Sequence, residues 1–205
     1  MKWVRRLLYT AVIVMAVLVG IRYWAMNEAM ATVTDAKLGQ YLGPADADQI
    51  IVEFMDYRCY ACRRAHASVE TLHTQHPEIK IVFRQVPVIG DVSMNEARIA
   101  LAAGMGGKFM EMHRLLIARE EPVEDAEIDT LAQTVGIDPE QLRTDMKSVE
   151  VSKEMLISMS AADALKLKGT PGFLINGVLY TSTMKIPTAD DLYRVLTQTS
   201  KEGAL

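Results

Sequence analysis

The chain has 205 residues, of which 50% are hydrophobic and 23% are charged, and its formal net charge is −4. This length supports one well-filled core, and the apolar content excludes a mainly disordered chain. The charges are of mixed sign and form no basic block, so neither nucleic acid nor an anionic surface is an expected partner. Two cysteines allow at most one intramolecular disulfide, which excludes a disulfide-stapled framework.

Residues 1–26 have the pattern of an export signal, which is either a membrane anchor or a cleaved signal peptide. An uncharged stretch over 7–21 has a span of about 22 Å as a helix, short of a bilayer core of about 30 Å, which favours a signal peptide. A snorkelling arginine and interfacial aromatic residues after the stretch favour an uncleaved anchor, which we expect. The flanking residues are Lys2, Arg5 and Arg6 before the stretch, and Arg22, Tyr23 and Trp24 after it.

The next segment is expected to lead from this signal into an α/β domain. Residues 27–48 are small and polar and predict a stalk or linker. The apolar run 50–55 predicts a buried strand. A helix is expected from about residue 60 to 76, because the residue before Pro77 avoids helical backbone. Residues 79–86 then predict a second strand that is covered on both faces.

The region from about 91 to 168 is expected to be a wholly helical insert. Ser93 and Glu96 have the form of a capping box, which predicts a helix start just after Ser93. Gly136 predicts a helix end, and Asp138-Pro139 predicts the start of the next helix. The methionines concentrated here are expected to fill the core, with an adaptable peptide-binding surface as the alternative.

From Thr170 onward the strand pattern returns. Asn176-Gly177 between two apolar runs predicts an antiparallel hairpin, because both residues accept a positive φ. Thr188 predicts the N-cap of a last helix. The predicted order is strand, helix, strand, helical insert, hairpin and helix.

The two cysteines, Cys59 and Cys62, lie where the first predicted strand gives way to the first predicted helix. Thiols at positions i and i+3 of a first helical turn can close a disulfide with little backbone movement, and the helix dipole favours a thiolate on the first. A structural disulfide is the alternative, but a bridge across so short a loop removes little entropy from the unfolded chain. We therefore predict a pair that opens and closes.

This order of elements, with a CxxC motif at the first strand-to-helix junction, resembles the thioredoxin superfamily and, within it, the DsbA-like branch that includes ScsC. The resemblance covers about 50–199, and its most specific stretches are EFMDYRCYAC (53–62) and GTPGFLING (169–177). Parts of the segment 87–113 are similar to the helical insert of exported members. The resemblance implies a thioredoxin-like α/β domain over 49–200 with an inserted all-helical subdomain.

The resemblance also implies roles for five residues. Cys59 would be the nucleophile that forms a mixed disulfide with a client protein, and Cys62 the buried thiol that resolves it. Pro171 matches the family's cis proline, and Thr170 before it would offer backbone hydrogen bonds to a client strand. Glu53 matches a carboxylate that the family often buries beneath the disulfide to relay protons, with a solvent-facing glutamate at a sheet edge as the alternative.

The implied activity is that of a protein thiol:disulfide oxidoreductase, which acts on cysteine-containing exported proteins and is reset by a redox partner. The expected location is the periplasmic face of the bacterial inner membrane, or the soluble periplasm after signal cleavage. No metal or organic cofactor is expected, because the disulfide itself carries two electrons. The oxidase direction is favoured. Disulfide isomerase or reductase activity is the alternative, because Tyr60-Ala61 lacks the thiolate-stabilising histidine of the familiar oxidase and isomerase-like members share Thr170.

Two other classes of function match parts of the sequence. Cys59, Cys62 and His66 have the spacing C-x2-C-x3-H, which can supply three metal ligands, but a fourth is not evident. A non-catalytic chaperone could keep this fold, but it would have no need of two adjacent thiols. The oxidoreductase is therefore the favoured hypothesis.

Overall fold

The computed structural model describes residues 2–181 and 185–202, and the chain divides into two compact units, Met1–Asp35 and Ala36–Leu205. The first unit contains a single described helix, α1 (Lys2–Thr34). Among the residues that the structure describes, no helix is both long and apolar enough to cross a membrane. The membrane anchor expected from residues 1–26 stays a prediction.

In the second unit, five described strands form one sheet with the order β1-β3-β2-β4-β5. The strands are β1 (Tyr41–Leu42), β2 (Ile50–Met55), β3 (Lys80–Gln85), β4 (Gly172–Ile175) and β5 (Val178–Tyr180). The helices are α2 (Tyr60–Gln75), α3 (Gly90–Met105), α4 (Phe109–Ile117), a 3-10 turn (Asp125–Glu127), α5 (Ile128–Thr134), α6 (Pro139–Asp145), α7 (Val149–Ala164) and α8 (Ala189–Glu202). The helical insert between β3 and β4 is present as predicted.

The strand β2 lies at the centre of the sheet, parallel to β3 and antiparallel to β4. Its residues 51–55 are all buried, as a mostly apolar run predicts for a central strand. The register pairs Glu53 with Phe83 on one side and with Phe173 on the other. This central position excludes a solvent-facing glutamate at a sheet edge.

The sheet begins within the segment that the sequence predicted to be a stalk. Residues 27–48 include the end of α1 and the strand β1, which pairs antiparallel with β3. Gln40, just before β1, is fully buried, and its carbonyl accepts a hydrogen bond from the Phe83 N–H at 2.9 Å. A strand of two residues has no periodicity, so the sequence pattern could not reveal it.

The capping box predicted at Ser93 is wrong. The helix α3 begins three residues earlier, at Gly90, and both side chains of the motif are buried. The Ser93 hydroxyl donates to Asp56, and the Glu96 carboxylate accepts from Arg58. Tertiary partners therefore replace the local capping bonds.

The hairpin between β4 and β5 turns at Asn176 and Gly177, whose φ angles are 46° and 80°. Both values lie in the left-handed region that the Asn-Gly pair predicts. The Asn176 amide also donates to the Leu196 carbonyl of α8 at 3.3 Å. The hairpin is therefore confirmed and is tied to the last helix.

Candidate active site

The two cysteines lie at the start of α2. Cys59 is the residue before the helix and has an extended backbone, with φ −73° and ψ 116°, whereas Cys62 lies in the first helical turn. Cys62 is fully buried and Cys59 is partly exposed. The structure therefore presents one accessible thiol and one sheltered thiol.

The two thiols differ strongly in acidity. A hydrogen bond from the Cys62 thiol, and a weaker one from the Thr170 side chain, lower the pKa of Cys59 from 9.0 to about 5, against the opposing effect of burial. The backbone N–H groups of residues 61 and 62 add to this stabilisation. Burial raises the pKa of Cys62 far above its usual value, and the neighbouring Cys59 and Glu53 act in the same direction. At neutral pH the pair is thus a thiolate beside a protonated thiol.

The loop before β4 lies against the accessible thiol. The Cys59 Sγ lies 3.2 Å from the Thr170 carbonyl oxygen, to which the protonated thiol can donate. The Thr170–Pro171 peptide bond is cis, the isomer that the resemblance implied. The structure therefore brings Thr170, and with it Pro171, next to Cys59.

Glu53 is a buried carboxyl group on the central strand, with only 2% of its surface exposed. Burial, and to a lesser extent the charge of Cys59, raise its pKa from 4.5 to about 8. Its own charge in turn raises the pKa of Cys62, after the larger effects of burial and of the Cys59 hydrogen bond. It makes no ion pair with any residue that the structure describes. Such a group can take up or release a proton near neutral pH.

Asp56 fixes the loop that carries the cysteines, a role that the sequence analysis missed. Its carbonyl accepts the Cys59 N–H at 3.1 Å. Its carboxylate accepts four hydrogen bonds: from Ser93 Oγ and Arg58 N at 2.7 Å, from Val88 N at 2.8 Å and from Ile89 N at 3.1 Å. The available signal was an aspartate directly after a buried strand, because aspartate often accepts the N–H two residues onward.

Arg58, directly before Cys59, ties the same loop to the helical insert. Its Nη1 lies 3.3 Å from Glu96 Oε1 on α3 and 3.0 Å from the Glu121 carbonyl oxygen. Its Nη2 donates to the Glu120 carbonyl. The guanidinium group therefore holds the insert against the active-site loop.

The structure gives the metal-binding alternative no support. Within the described ranges 2–181 and 185–202, no group of three or more His, Cys, Asp or Glu side chains is arranged to hold a metal ion. His66, the third member of the predicted ligand set, instead lies edge-on to His113, with the ring centroids 5.1 Å apart.

Comparisons with known proteins place this geometry in a family. A family model described as Thioredoxin matches residues 35–193. A thioredoxin-like oxidoreductase from Silicibacter pomeroyi is 31% identical with a TM-score of 0.71, over 84% of this chain and 96% of that one. The catalytic domain of Proteus mirabilis ScsC is 17% identical with a TM-score of 0.72, over 86% and 97% of the two chains. At this identity the likeness to ScsC shows the fold alone.

The chain belongs to the thioredoxin family. Its fold is the thioredoxin-like α/β fold with a helical insert, similar to that of the Silicibacter oxidoreductase and of the ScsC catalytic domain. The family and the fold predicted from the sequence are therefore confirmed.

Curated relatives match over a shorter segment. The Na(+)/H(+) antiporter NhaA 3 of Salinispora tropica is 28% identical over 137 residues, which cover 66% of this chain and 21% of the antiporter. The chain thus spans about a fifth of the length of the curated relatives that it matches.

Proposed function

We propose that the chain is an exported enzyme that transfers disulfides to cysteine-containing exported proteins through Cys59 and Cys62. The arrangement of the two thiols is the observation that carries this proposal, because Cys59 is partly exposed beside Thr170 while Cys62 is buried, and their acidities are opposed. Stabilisation of the Cys59 thiolate stabilises the reduced enzyme, so the oxidised enzyme tends to give its disulfide away. A low thiol pKa also makes Cys59 a good leaving group when the client disulfide closes.

The oxidation of a client takes two exchanges. A client thiolate attacks the Cys59 sulfur of the Cys59–Cys62 disulfide, so that a client–Cys59 bond forms and Cys62 leaves with the electron pair. Buried Cys62 then takes up a proton, for which Glu53 is the donor. A second client thiolate attacks the client sulfur of the mixed disulfide, closes the client disulfide and releases Cys59 as a thiolate.

The enzyme is reset by the reverse chemistry with an oxidised partner. The Cys59 thiolate attacks a disulfide of the partner, and one partner sulfur leaves as a thiolate. Cys62 gives its proton to Glu53, attacks the Cys59 sulfur and displaces the second partner sulfur. The partner is thus a disulfide carrier that accepts two electrons, and the exchange needs no metal or organic cofactor.

A groove beside Thr170 suits an extended client segment. The cavity has a volume of about 380 Å³ and includes Val86, Val88, Met159, Leu167 and Thr170 in its lining. Backbone groups at Thr170 can pair with a client strand next to Cys59, while the apolar side chains accept client side chains. This arrangement favours unfolded or extended proteins, rather than small thiols, as the clients of the enzyme.

The export of the domain is part of the proposal. It rests on the positive and then apolar pattern of residues 1–26, and on the oxidising compartment that net disulfide formation requires. A reporter fused after residue 35 and active only outside the cytoplasm tests it directly. An inactive reporter in cells that contain the full-length fusion protein contradicts it.

The exchange mechanism is tested with the oxidised protein and a reduced, unfolded client at equal concentrations. We expect one disulfide to be transferred per enzyme molecule, and no transfer by Cys59→Ser. With a client that contains disulfides, the matched variant Cys62→Ser should instead accumulate mixed disulfides on non-reducing gels, because its Cys59 thiolate attacks a client disulfide and no second enzyme thiol resolves the adduct. Activity retained in Cys59→Ser, or no adducts with Cys62→Ser, contradicts the proposed division of roles.

A further inference from the structure

Tyr57 and His113 form a buried hydrogen-bonded pair close to the cysteines. Tyr57 lies two residues before Cys59, His113 lies on α4, and each has only 1% of its surface exposed. The Tyr57 Oη and His113 Nδ1 atoms are 3.0 Å apart. The exchange steps described above use neither side chain, so the pair needs an explanation of its own.

The pair lies against the part of the sheet that carries Glu53. The parallel register places Glu53 beside Phe83, and neighbours in register project to the same face of a sheet. The Phe83 ring lies 4.4 Å from the His113 ring, measured between centroids. The phenol of Tyr57 is coupled to the same region, because burial, Glu96 and Glu53, in this order, raise its pKa.

His66 extends this row of titratable groups towards the surface. It lies on α2 one turn after Cys62, and its ring is edge-on to that of His113 with the centroids 5.1 Å apart. Its Nε2 lies 3.6 Å from Glu70 Oε1, and 18% of its side chain is exposed. Glu70 is itself paired with Arg114 at the surface. The row therefore runs from the centre of the domain to solvent.

Each histidine keeps one buried ring nitrogen without a hydrogen bond to any described residue: Nε2 of His113 and Nδ1 of His66. An unsatisfied buried polar group destabilises the fold, so two of them in contacting rings call for a reason. Burial lowers the pKa of His113 well below its usual value, and it also lowers that of His66. A neutral imidazole can accept a proton at one nitrogen and release one from the other.

We propose that Tyr57, His113 and His66 carry protons between the buried carboxyl of Glu53 and solvent. The inference rests on the proposed function, because it supplies the route by which the proton of Cys62 leaves the domain. The charged or titratable groups that face the route are Cys59 and Cys62 at the start of α2, Glu53 on β2, Glu70 on α2, Glu96 on α3 and Arg114 on α4.

The proton balance follows the closure of the disulfide. As Cys62 attacks the Cys59 sulfur, the new S–S bond forms, the bond to the partner sulfur breaks, and the Cys62 proton moves to the Glu53 carboxylate. Glu53 then gives a proton to the Tyr57 oxygen while the Tyr57 hydroxyl proton moves to His113. His113 releases the proton from its other nitrogen to His66, which releases one to water. Each relay group ends with the number of protons that it had at the start, both imidazoles end in the other tautomer, and one proton leaves.

The oxidation of the reduced full chain by glutathione disulfide has two steps that can be measured separately. Acid quenching and mass spectrometry distinguish the first step, which forms the Cys59–glutathione mixed disulfide, from the second, in which Cys62 closes the protein disulfide. We expect Tyr57→Phe and His113→Gln to slow the second step about tenfold, less than the loss of about a hundredfold for a directly acting acid–base group. The mixed disulfide should accumulate, and the solvent deuterium isotope effect on this step should increase.

Packing and proton transfer are separated by the controls. Tyr57→Phe keeps the aromatic ring, so this variant alone tests the proton route if His113→Gln does not fold. His73→Gln on α2, outside this ring cluster, is the control and should react like the wild type. The first-step rate and the equilibrium reduction potential should not change in the relay variants, because a proton route changes rates only. If the second step keeps its wild-type rate and isotope effect, the route is wrong while the proposed function stands. If the wild-type protein does not react with glutathione disulfide at all, the proposed function fails.

Discussion

Two buried glutamates in one domain have opposite surroundings. Glu154 on α7 is paired with Arg84 on β3 at 2.6 Å, and it accepts a hydrogen bond from Gln40 Nε2 at 2.8 Å. Glu53 on β2 makes no ion pair with any described residue, and burial, with a smaller effect of Cys59, raises its pKa to about 8. A buried carboxylate with partners ties elements together, whereas one without them keeps an exchangeable proton. The partners, not the burial, therefore separate a structural carboxylate from a functional one.

The largest expected effect is on stability, at the paired site. Glu154→Gln leaves the guanidinium of Arg84, which is fully buried, without this carboxylate, and we expect a loss of about 3–5 kcal/mol in the free energy of unfolding. Glu53→Gln breaks no ion pair and should cost far less. Urea unfolding measures the loss of stability in both variants. Equal losses would contradict the difference between the paired Glu154 and the unpaired Glu53. Client oxidation by folded Glu154→Gln should match the wild type.

The second effect concerns the pH dependence of stability at the unpaired site. Between the ordinary glutamate pKa of 4.5 and the raised pKa of Glu53, the folded protein keeps a proton that the unfolded chain has lost. Stability should therefore fall as pH rises through this window, by about 1.4 kcal/mol per pH unit from this group. Urea unfolding from about pH 5 to about pH 7 measures the slope.

The oxidised protein is the right form for this measurement. In the reduced protein the lowered pKa of Cys59 contributes a slope of the opposite sign, because the folded state there loses a proton that the unfolded chain keeps. Glu53→Gln should remove the fall in stability in the oxidised protein. Parallel curves for the variant and the wild type would show that Glu53 does not hold its proton.

The smallest expected effect is on the acidity of the accessible thiol. Thr170→Val keeps the side-chain shape and the backbone carbonyl but removes the hydroxyl that helps to lower the pKa of Cys59. We expect that pKa to rise by about one unit, which corresponds to about 1.4 kcal/mol. The ultraviolet absorbance of the thiolate, followed against pH, gives the value. Thr71→Val on the exposed face of α2 is the matched control, and an equal shift in both variants would exclude a specific contribution from Thr170.

Features of the fold with local signals were predictable from the sequence. The Asn176-Gly177 turn, and the cap at Asp138, which accepts the Gln141 N–H at 2.9 Å, each depend on residues close together in the chain. The first helix of the domain was expected to start at the CxxC motif, and it does. Such signals act without long-range contacts, so a pattern along the chain suffices to find them.

Features that depend on distant partners were not predictable. The pairs Tyr57–His113 and Arg84–Glu154 join residues 56 and 70 positions apart. The lowered pKa of Cys59 was not assumed either, because Tyr60-Ala61 lacks a stabilising histidine. In the structure the Cys62 thiol, Thr170 and backbone N–H groups provide that stabilisation. The dipeptide between the cysteines therefore does not determine the acidity of the thiol alone.

The equilibrium reduction potential of the Cys59–Cys62 pair, measured in glutathione buffers on the full chain, tests the central claim most directly. A thiolate stabilised as strongly as that of Cys59 predicts a value towards about −120 mV, the range of a disulfide donor. A value near about −270 mV would mark a reductase and contradict the proposed direction of electron flow.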